Sequence, residues 1–179
     1  DNHIFTSLCE YKPGVILAGG YMSGIYRIDK HSGKSDYAIQ LEGGRDEAPD
    51  KYIRSIIRDS YGILWGGGFQ SLRSYDEKTG RTNIYPSTYP ITCVREKDAK
   101  SLWVGTINGL YIFSKEDNDM ERFGTWQGTG CVNSIYQTKD NIYTYVGTYG
   151  DGLYIINNET GEVEHFTISN CSLITNNIY

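Results

Sequence analysis

A strand-turn-strand phrase that returns four times in one register constrains this chain more than any other feature. Its fullest form is Ser101-Leu102-Trp103-Val104-Gly105-Thr106-Ile107-Asn108-Gly109-Leu110-Tyr111-Ile112-Phe113. Two short apolar strands flank a tight turn closed by Gly109. Leu64-Trp65-Gly66-Gly67-Gly68 leads in the same way to Leu72-Arg73-Ser74-Tyr75-Asp76. Tyr143 to Thr148 leads to Gly152-Leu153-Tyr154-Ile155-Ile156, and Ile16-Leu17-Ala18-Gly19-Gly20 to Gly24-Ile25-Tyr26-Arg27-Ile28-Asp29. The glycines that end the first strand, Gly19, Gly67, Gly105 and Gly147, are 48, 38 and 42 residues apart. Self-similarity at that period marks the four-stranded blade of a β-propeller.

Each unit divides into strands A to D. Strand A reads Ile4–Cys9, Tyr52–Ile57, Ile91–Val94 and Val132–Tyr136, and the phrase above supplies B and C. Turn-forming residues lie between A and B (Pro13-Gly14, Asp59-Ser60-Tyr61-Gly62, Asp98 to Ser101, Asp140-Asn141). They recur between C and D (Asp29 to Gly33, Asp76 to Gly80, Asn157 to Gly161). Strand D is short and polar and ends on Tyr37, Tyr85, Phe123 or Phe166. The expected blades are 4–37, 52–85, 91–123 and 131–166, with 173–179 as the first strand of a further one. The predicted class is all-β: a propeller fragment of four four-stranded antiparallel blades plus the first strand of a fifth. With 21 Gly and 16 Tyr, the composition agrees with an all-β chain.

Two columns of the repeat carry packing. Ser7, Ser55, Cys93 and Ser134 share one position of strand A, where crowding requires a small side chain. Leu17, Trp65, Trp103 and Tyr145 share a position of strand B and are expected to wedge blades apart. The net charge of −5, without any basic run, argues against nucleic acid. No apolar run reaches the roughly 20 residues that span a bilayer, so this segment is expected to make no direct membrane contact. The N-terminal Asp-Asn-His-Ile lacks the basic and apolar segments of a secretory leader. Cys9, Cys93, Cys131 and Cys171 have no metal-type spacing.

The search for chemistry returns little. His3, His31 and His165 share no metal spacing and read as solvated, no nucleophile elbow or phosphate loop is present, and no helix or lysine follows Gly66-Gly67-Gly68. Asp46, Glu47 and Asp50 read as a solvated loop. No catalytic residue, metal or cofactor is expected. Binding is expected on the face where B–C turns and D–A links converge, at Tyr21, Phe69, Gln70, Asn108, Tyr149 and Asp151, with Trp126 and Arg45 on neighbouring links. Aromatic faces beside amides and carboxylates suit sugars, whose C–H surfaces stack while their hydroxyls bond.

The pattern Leu-Trp-Val-Gly-Thr-x-x-Gly-Leu-Tyr at 102–111 follows a strand and an Asp turn, and Asp-x-x-Thr-Gly occurs in a neighbouring unit. In this it resembles the two-component regulator propeller repeat, over residues 4–166. Ser71 in place of the turn glycine, Ser114 in place of Asp, and Leu17 and Tyr145 in place of Trp depart from the pattern. That family builds extracytoplasmic sensor regions of bacterial hybrid two-component systems. In the family, two propellers are followed by a β-sandwich, a membrane helix, a kinase and a response regulator. The resemblance implies a non-enzymatic, periplasmic or extracytoplasmic segment of a larger sensor, one that helps recognise an oligosaccharide signal and relays it to a histidine kinase. A protein-interaction scaffold and a propeller hydrolase or lyase acting on polysaccharide are the rival classes. Four blades leave an apolar face at each end, so two chains are expected to meet there as a homodimer; the alternative is a closed four-bladed ring with the tail packed along it.

Overall fold

The computed structural model describes residues 4–21, 24–37 and 52–179. The sheet built on the fullest copy of the repeat contains β9 (Ile91–Asp98), β10 (Ser101–Thr106), β11 (Gly109–Ser114) and β12 (Asp119–Arg122), antiparallel and in sequence order. The first sheet holds β1 (Ile4–Lys12), β2 (Val15–Tyr21), β3 (Gly24–Asp29) and β4 (Ser35–Tyr37). The second holds β5 (Ser55–Arg58), β6 (Leu64–Gly67), β7 (Ser71–Asp76) and β8 (Arg81–Pro86). The fourth holds β13 (Cys131–Gln137), β14 (Tyr143–Tyr149), β15 (Leu153–Asn157) and β16 (Val163–Phe166). The described residues thus form four four-stranded antiparallel meanders, as the repeat predicts.

Turn chemistry explains where the strands reverse. The C–D turns place Gly33, Gly80 and Gly161 at φ of 67°, 69° and 74°. In the third sheet Asn118 takes that place at φ 56°, the residue other than glycine that best tolerates the left-handed region. The Asp29 carboxylate accepts from the backbone N–H groups of His31 and Ser32, Asp76 from that of Lys78, and the Asn157 side chain from those of Glu159 and Thr160. Where Ser114 replaces the acid, its hydroxyl accepts from the Asp117 N–H and donates to the Asp117 carboxylate.

The sheets join through their first strands. β1 packs on β5, β5 on β9 and β9 on β13, while β2, β6 and β10 also touch the first strand of the sheet that follows. A and B are therefore the crowded strands, and the glycine column shows why. A Cβ on Gly19 would lie 2.7 Å from Ile53, on Gly67 2.5 Å from Ile91, and on Gly105 2.6 Å from Val132. Each glycine thus admits an apolar side chain from the next sheet to the backbone itself. A Cβ on Gly147 would lie 2.7 Å from Ile178. The Ile178 N–H donates to Thr148 O at 2.8 Å, as the Ile53 N–H does to Gly20 O and the Ile91 N–H to Gly68 O. Ile178 is thus the counterpart of Ile53, Ile91 and Val132, and starts the first strand of a fifth blade.

A bulge beside the small-residue position in the first, third and fourth sheets places a side chain to bond across to the following segment. The registers of β1–β2 and β13–β14 shift between Phe5 and Ser7 and between Val132 and Ser134. Bulges re-aim the side chain they insert. Thr6 Oγ1 donates to Ile53 O at 2.7 Å, Thr92 Oγ1 to Val132 O, and Asn133 Nδ2 to Ile178 O at 3.2 Å. Next to them, Ser7 Oγ accepts from the Ile56 N–H at 2.8 Å and Ser55 Oγ from the Val94 N–H at 2.9 Å. The small column therefore bonds across the joint as well as relieving crowding.

Three apolar cores fill the three joints. Leu17 and Ile25 meet Ile53, Ile56 and Leu64; Trp65 and Leu72 meet Ile91, Val94, Leu102 and Phe113; Trp103, Leu110 and Trp126 meet Val132, Ile135, Val146 and Tyr154. Leu17, Trp65 and Trp103 of the wedge column are buried, and Tyr145 is half-buried. Trp65 contacts Phe113 edge-on at 5.4 Å, and Trp103 meets Phe123 edge-on at 5.1 Å while its indole donates to Gln137 of the next sheet.

Candidate ligand-binding rim

The described B–C turns, those of the second, third and fourth sheets, lie at the same end of sheets that share one strand order. The first residue of each turn, or the last of its B strand, is Tyr21, Phe69, Ile107 or Tyr149, so one apolar side chain falls at this place per blade. Phe69 is 50%, Ile107 44% and Tyr149 58% exposed. Threonine ending strand B holds two of these turns. Thr106 Oγ1 donates to Gly109 O and accepts from the Asn108 N–H, and Thr148 Oγ1 donates to Gly152 O. Phe69 leans on Tyr52 of its own sheet, with ring centroids 6.0 Å apart. Ser71 makes no glycine-like turn, because its φ is not positive; it is buried and its hydroxyl accepts from Arg73 Nε.

The predicted binding residues separate into three groups. Phe69, Gln70, Asn108 and Tyr149 lie on the rim. The side chain of Tyr21, and all of Arg45 with the loop around it, lie outside the described residues. Trp126 and Asp151 are built into the fold. Trp126 is 5% exposed, its ring 4.3 Å from that of Tyr154 and close against the backbone at Gly109 and Gly128. The third link folds back over the fourth blade and takes Trp126 into the core, so its face is not offered to a ligand. Asp151 accepts from the Thr129 N–H at 3.1 Å and from Tyr154 OH at 2.7 Å. Burial, then this carboxylate, push the Tyr154 phenol well above its ordinary range.

His165 is exposed, as the solvated reading expects, but it is not without partners. Its ring stacks on Tyr154 at 4.0 Å and 7°, and Nε2 lies 2.6 Å from Asp151 O. With Gln127, Thr129 and Glu162 these residues line a groove of about 780 Å³ between the third link and the fourth blade.

A larger cleft, about 850 Å³, opens between the second and third blades away from the rim, and sequence reasoning missed it. Tyr61, Trp65 and Tyr85 supply its aromatic surface, and Arg81, Asn83 and Lys115 its polar edge. Asp59 anchors its floor. Its carboxylate accepts from the N–H groups of Tyr61 and Ile63, from Trp65 Nε1 at 2.9 Å, and from Lys115 Nζ at 2.9 Å. Lys115 also reaches Glu96 at 3.2 Å. No local spacing announces this pairing, because Lys115 follows Asp59 by 56 residues.

Among the described residues no group of His, Cys, Asp and Glu is placed to hold a metal ion. All four cysteines are free thiols. Desolvation pushes the Cys93 thiol up to about 12, which suppresses the thiolate a nucleophile needs.

No protein-family model and no curated protein matches this sequence. Among solved structures the chain is similar to the extracellular domain of BT4673 from B. thetaiotaomicron, described once as a one component system and once as a hybrid two component system. The TM-score is 0.76 at 19% identity, over 98% of this chain and 24% of that one. It is also similar to the extracellular domain of BT3049 from B. thetaiotaomicron, described as a hybrid two component system, with a TM-score of 0.69 at 19% identity over 84% of this chain and 22% of that one. The chain therefore shares the fold of those domains and spans about a quarter of their length.

Proposed function

We propose that this chain is a non-enzymatic recognition segment of an extracytoplasmic sensor of the hybrid two-component type, contributing blades to a propeller whose B–C rim meets an oligosaccharide signal that a histidine kinase reports. The observation that carries the reading is the rim column, where Phe69, Ile107 and Tyr149 stay exposed at equivalent places of successive blades, with Gln70 and Asn108 beside two of them. Exposed aromatic surface is expensive to keep in water unless something covers it. Planar rings next to side-chain amides suit the alternating C–H and hydroxyl surface of a sugar. The extracellular domains that share the fold support the location and the sensor role.

Titration calorimetry against a panel of purified oligosaccharides tests it. A binding sugar should lose roughly tenfold or more in affinity in Phe69→Ala or Tyr149→Ala, in keeping with the loss of one aromatic anchor. Binding unaffected by both changes would move the site elsewhere, first to the cleft between the second and third blades. Turnover of any glycan by the purified chain would overturn the non-enzymatic reading.

A further inference from the structure

The cleft between the second and third blades opens where one row of the repeat changes character. Each wedge residue pairs across its sheet with a side chain of strand C: Leu17 with Arg27, Trp103 with Ile112, Tyr145 with Ile155, and Trp65 with Ser74. The next residue outward in these rows is Asp36, Glu121, Glu164 and Asn83 respectively. In the first blade Arg27 and Asp36 close the row as an ion pair, and in the third Ile112 packs against the joint core. Among the four rows, only that of the second blade ends in two short, uncharged side chains. The space that an arginine or an isoleucine fills elsewhere is open here, and Ser74 and Asn83 line the cleft of about 850 Å³.

Polar groups stand where apolar packing would be. Ser74 is 4% exposed, and its hydroxyl accepts from Asn83 Nδ2 at 3.3 Å and lies 3.4 Å from Tyr85 OH. Both bonds are long for their type. A hydroxyl, a phenol and an amide have more donors and acceptors than two such bonds use. Tyr85 stacks on Trp65 at 5.9 Å and 25°, which backs these groups with planar apolar surface. The wall beside them is fixed, since Lys115 is held by Asp59 and Glu96 and lies 5.6 Å from the centre of the Tyr61 ring. The charges that line the cleft balance, Arg81, Lys100 and Lys115 against Asp59, Asp76 and Glu116. A recess of no net charge, backed by aromatic rings and within the size range of small-molecule sites, suits hydroxyl-rich rings.

We infer that this cleft is a second binding site, separate from the rim, and that it takes one or two rings of a neutral sugar. The C–H face of the ring lies against the aromatic lining, while Ser74, Asn83 and Tyr85 OH bond its hydroxyls. Because the walls belong to two blades, the ligand bridges the second joint.

Proton–nitrogen NMR of the chain tests this through its three indoles. Glucose, galactose, mannose, maltose and cellobiose are titrated to about 50 mM, enough to detect millimolar binding, with glucuronic acid as the charged counterpart. At least one neutral sugar should shift the Trp65 indole signal to saturation. Those of Trp103 and Trp126, in the next joint, should stay unmoved. Ser74→Ile installs the side chain of the third and fourth blades, fills the recess and should weaken binding at least roughly tenfold. Asn83→Ala, at a half-buried place on the outer strand, should weaken it about fivefold and decides the matter if Ser74→Ile does not fold. Phe69→Ala should leave it unchanged, so the outcome here is separate from that at the rim. No Trp65 shift with any neutral sugar, a shift that survives both Ser74→Ile and Asn83→Ala, a shift lost in Phe69→Ala, or tighter binding of glucuronic acid than of the neutral sugars would each overturn the inference.

Discussion

Lys115 Nζ lies 2.9 Å from Asp59 Oδ2, so the ammonium that leaves the third blade neutralises the carboxylate at the A–B turn of the second. The Asp59 side chain is buried, that of Lys115 is 13% exposed, and Trp65 donates to the same oxygen. A tryptophan of the wedge column, an acid of the turn column and a lysine outside both thus form one unit across a joint. Burial alone would raise the Asp59 carboxyl; the bonds from Lys115, Trp65 and the Ile63 N–H outweigh it and hold the group below its ordinary value. Lys115→Met leaves that charge buried and unpaired, and is expected to cost about 3 kcal/mol in urea denaturation. Replacing both partners, as Asp59→Asn with Lys115→Met, should recover part of the loss, because the uncompensated charge is gone.

The glycine column makes a sharp distinction between sites. A Cβ at Gly105 would collide with Cys93 Sγ and lie 2.6 Å from Val132 Cγ1, whereas one at Gly124 meets nothing within 4 Å. Gly105→Ala should destabilise by about 2 kcal/mol through overpacking of the third joint. Gly124→Ala should stay within about 0.5 kcal/mol of the parent, as open surface changes do. Thermal melting of the two proteins side by side checks the contrast.

Ser55→Ala deletes the acceptor of the Val94 N–H in a buried place and should cost about 1–2 kcal/mol, the penalty of an orphaned donor. Ser7→Ala removes the equivalent acceptor from the Ile56 N–H one joint earlier. Because repeat stability approaches a sum of neighbouring interfaces, the two changes should add to within about 0.5 kcal/mol. Strong coupling between them in chemical denaturation would show that the joints are not independent.

Acid should unfold this chain through its turns. The carboxyls of Asp29, Asp76 and Asp140 are held below their ordinary value by hydrogen bonds: from Ser32 and His31, from Lys78 and Thr79, and from Thr138 and Ile142. Asp98 is opposed by burial but lowered by Lys97, Ser101 and Lys100. A carboxyl whose folded pKa lies below its unfolded value of about 3.9 contributes fully above that value and loses its contribution as pH falls through the folded one. Stability followed by fluorescence should therefore be flat near neutrality and decline below about pH 5. Asp98→Asn should flatten the decline; a slope it leaves unchanged would assign the acid transition to other groups.

The repeat was legible because its causes are local. Strand alternation, the Asp and Gly of the C–D turns, and the Gly and Trp columns each need only neighbouring residues to be recognised, and the structure returned them as four like sheets. The rim of B–C turns was half legible. Phe69, Gln70, Asn108 and Tyr149 could be placed from turn position alone, whereas Trp126 looked the same in sequence and went to the core, because the link that carries it folds over Tyr154 and Gly109. The stacking of His165 on Tyr154 was hidden for the same reason: it depends on the pairing of β15 with β16 and on the turn that carries Asp151.

The order of residues alone determined how many blades this chain builds, where each reverses, and which positions must be small. Those are properties of short segments, set by backbone sterics and side-chain size. Only the tertiary structure decided what crosses a joint: that Lys115 answers Asp59, that Ser55 bonds Val94, and that Ile178 takes the place of Ile53. Such pairings join residues tens of positions apart, and their energy exists only once two sheets have closed on each other and shut out water.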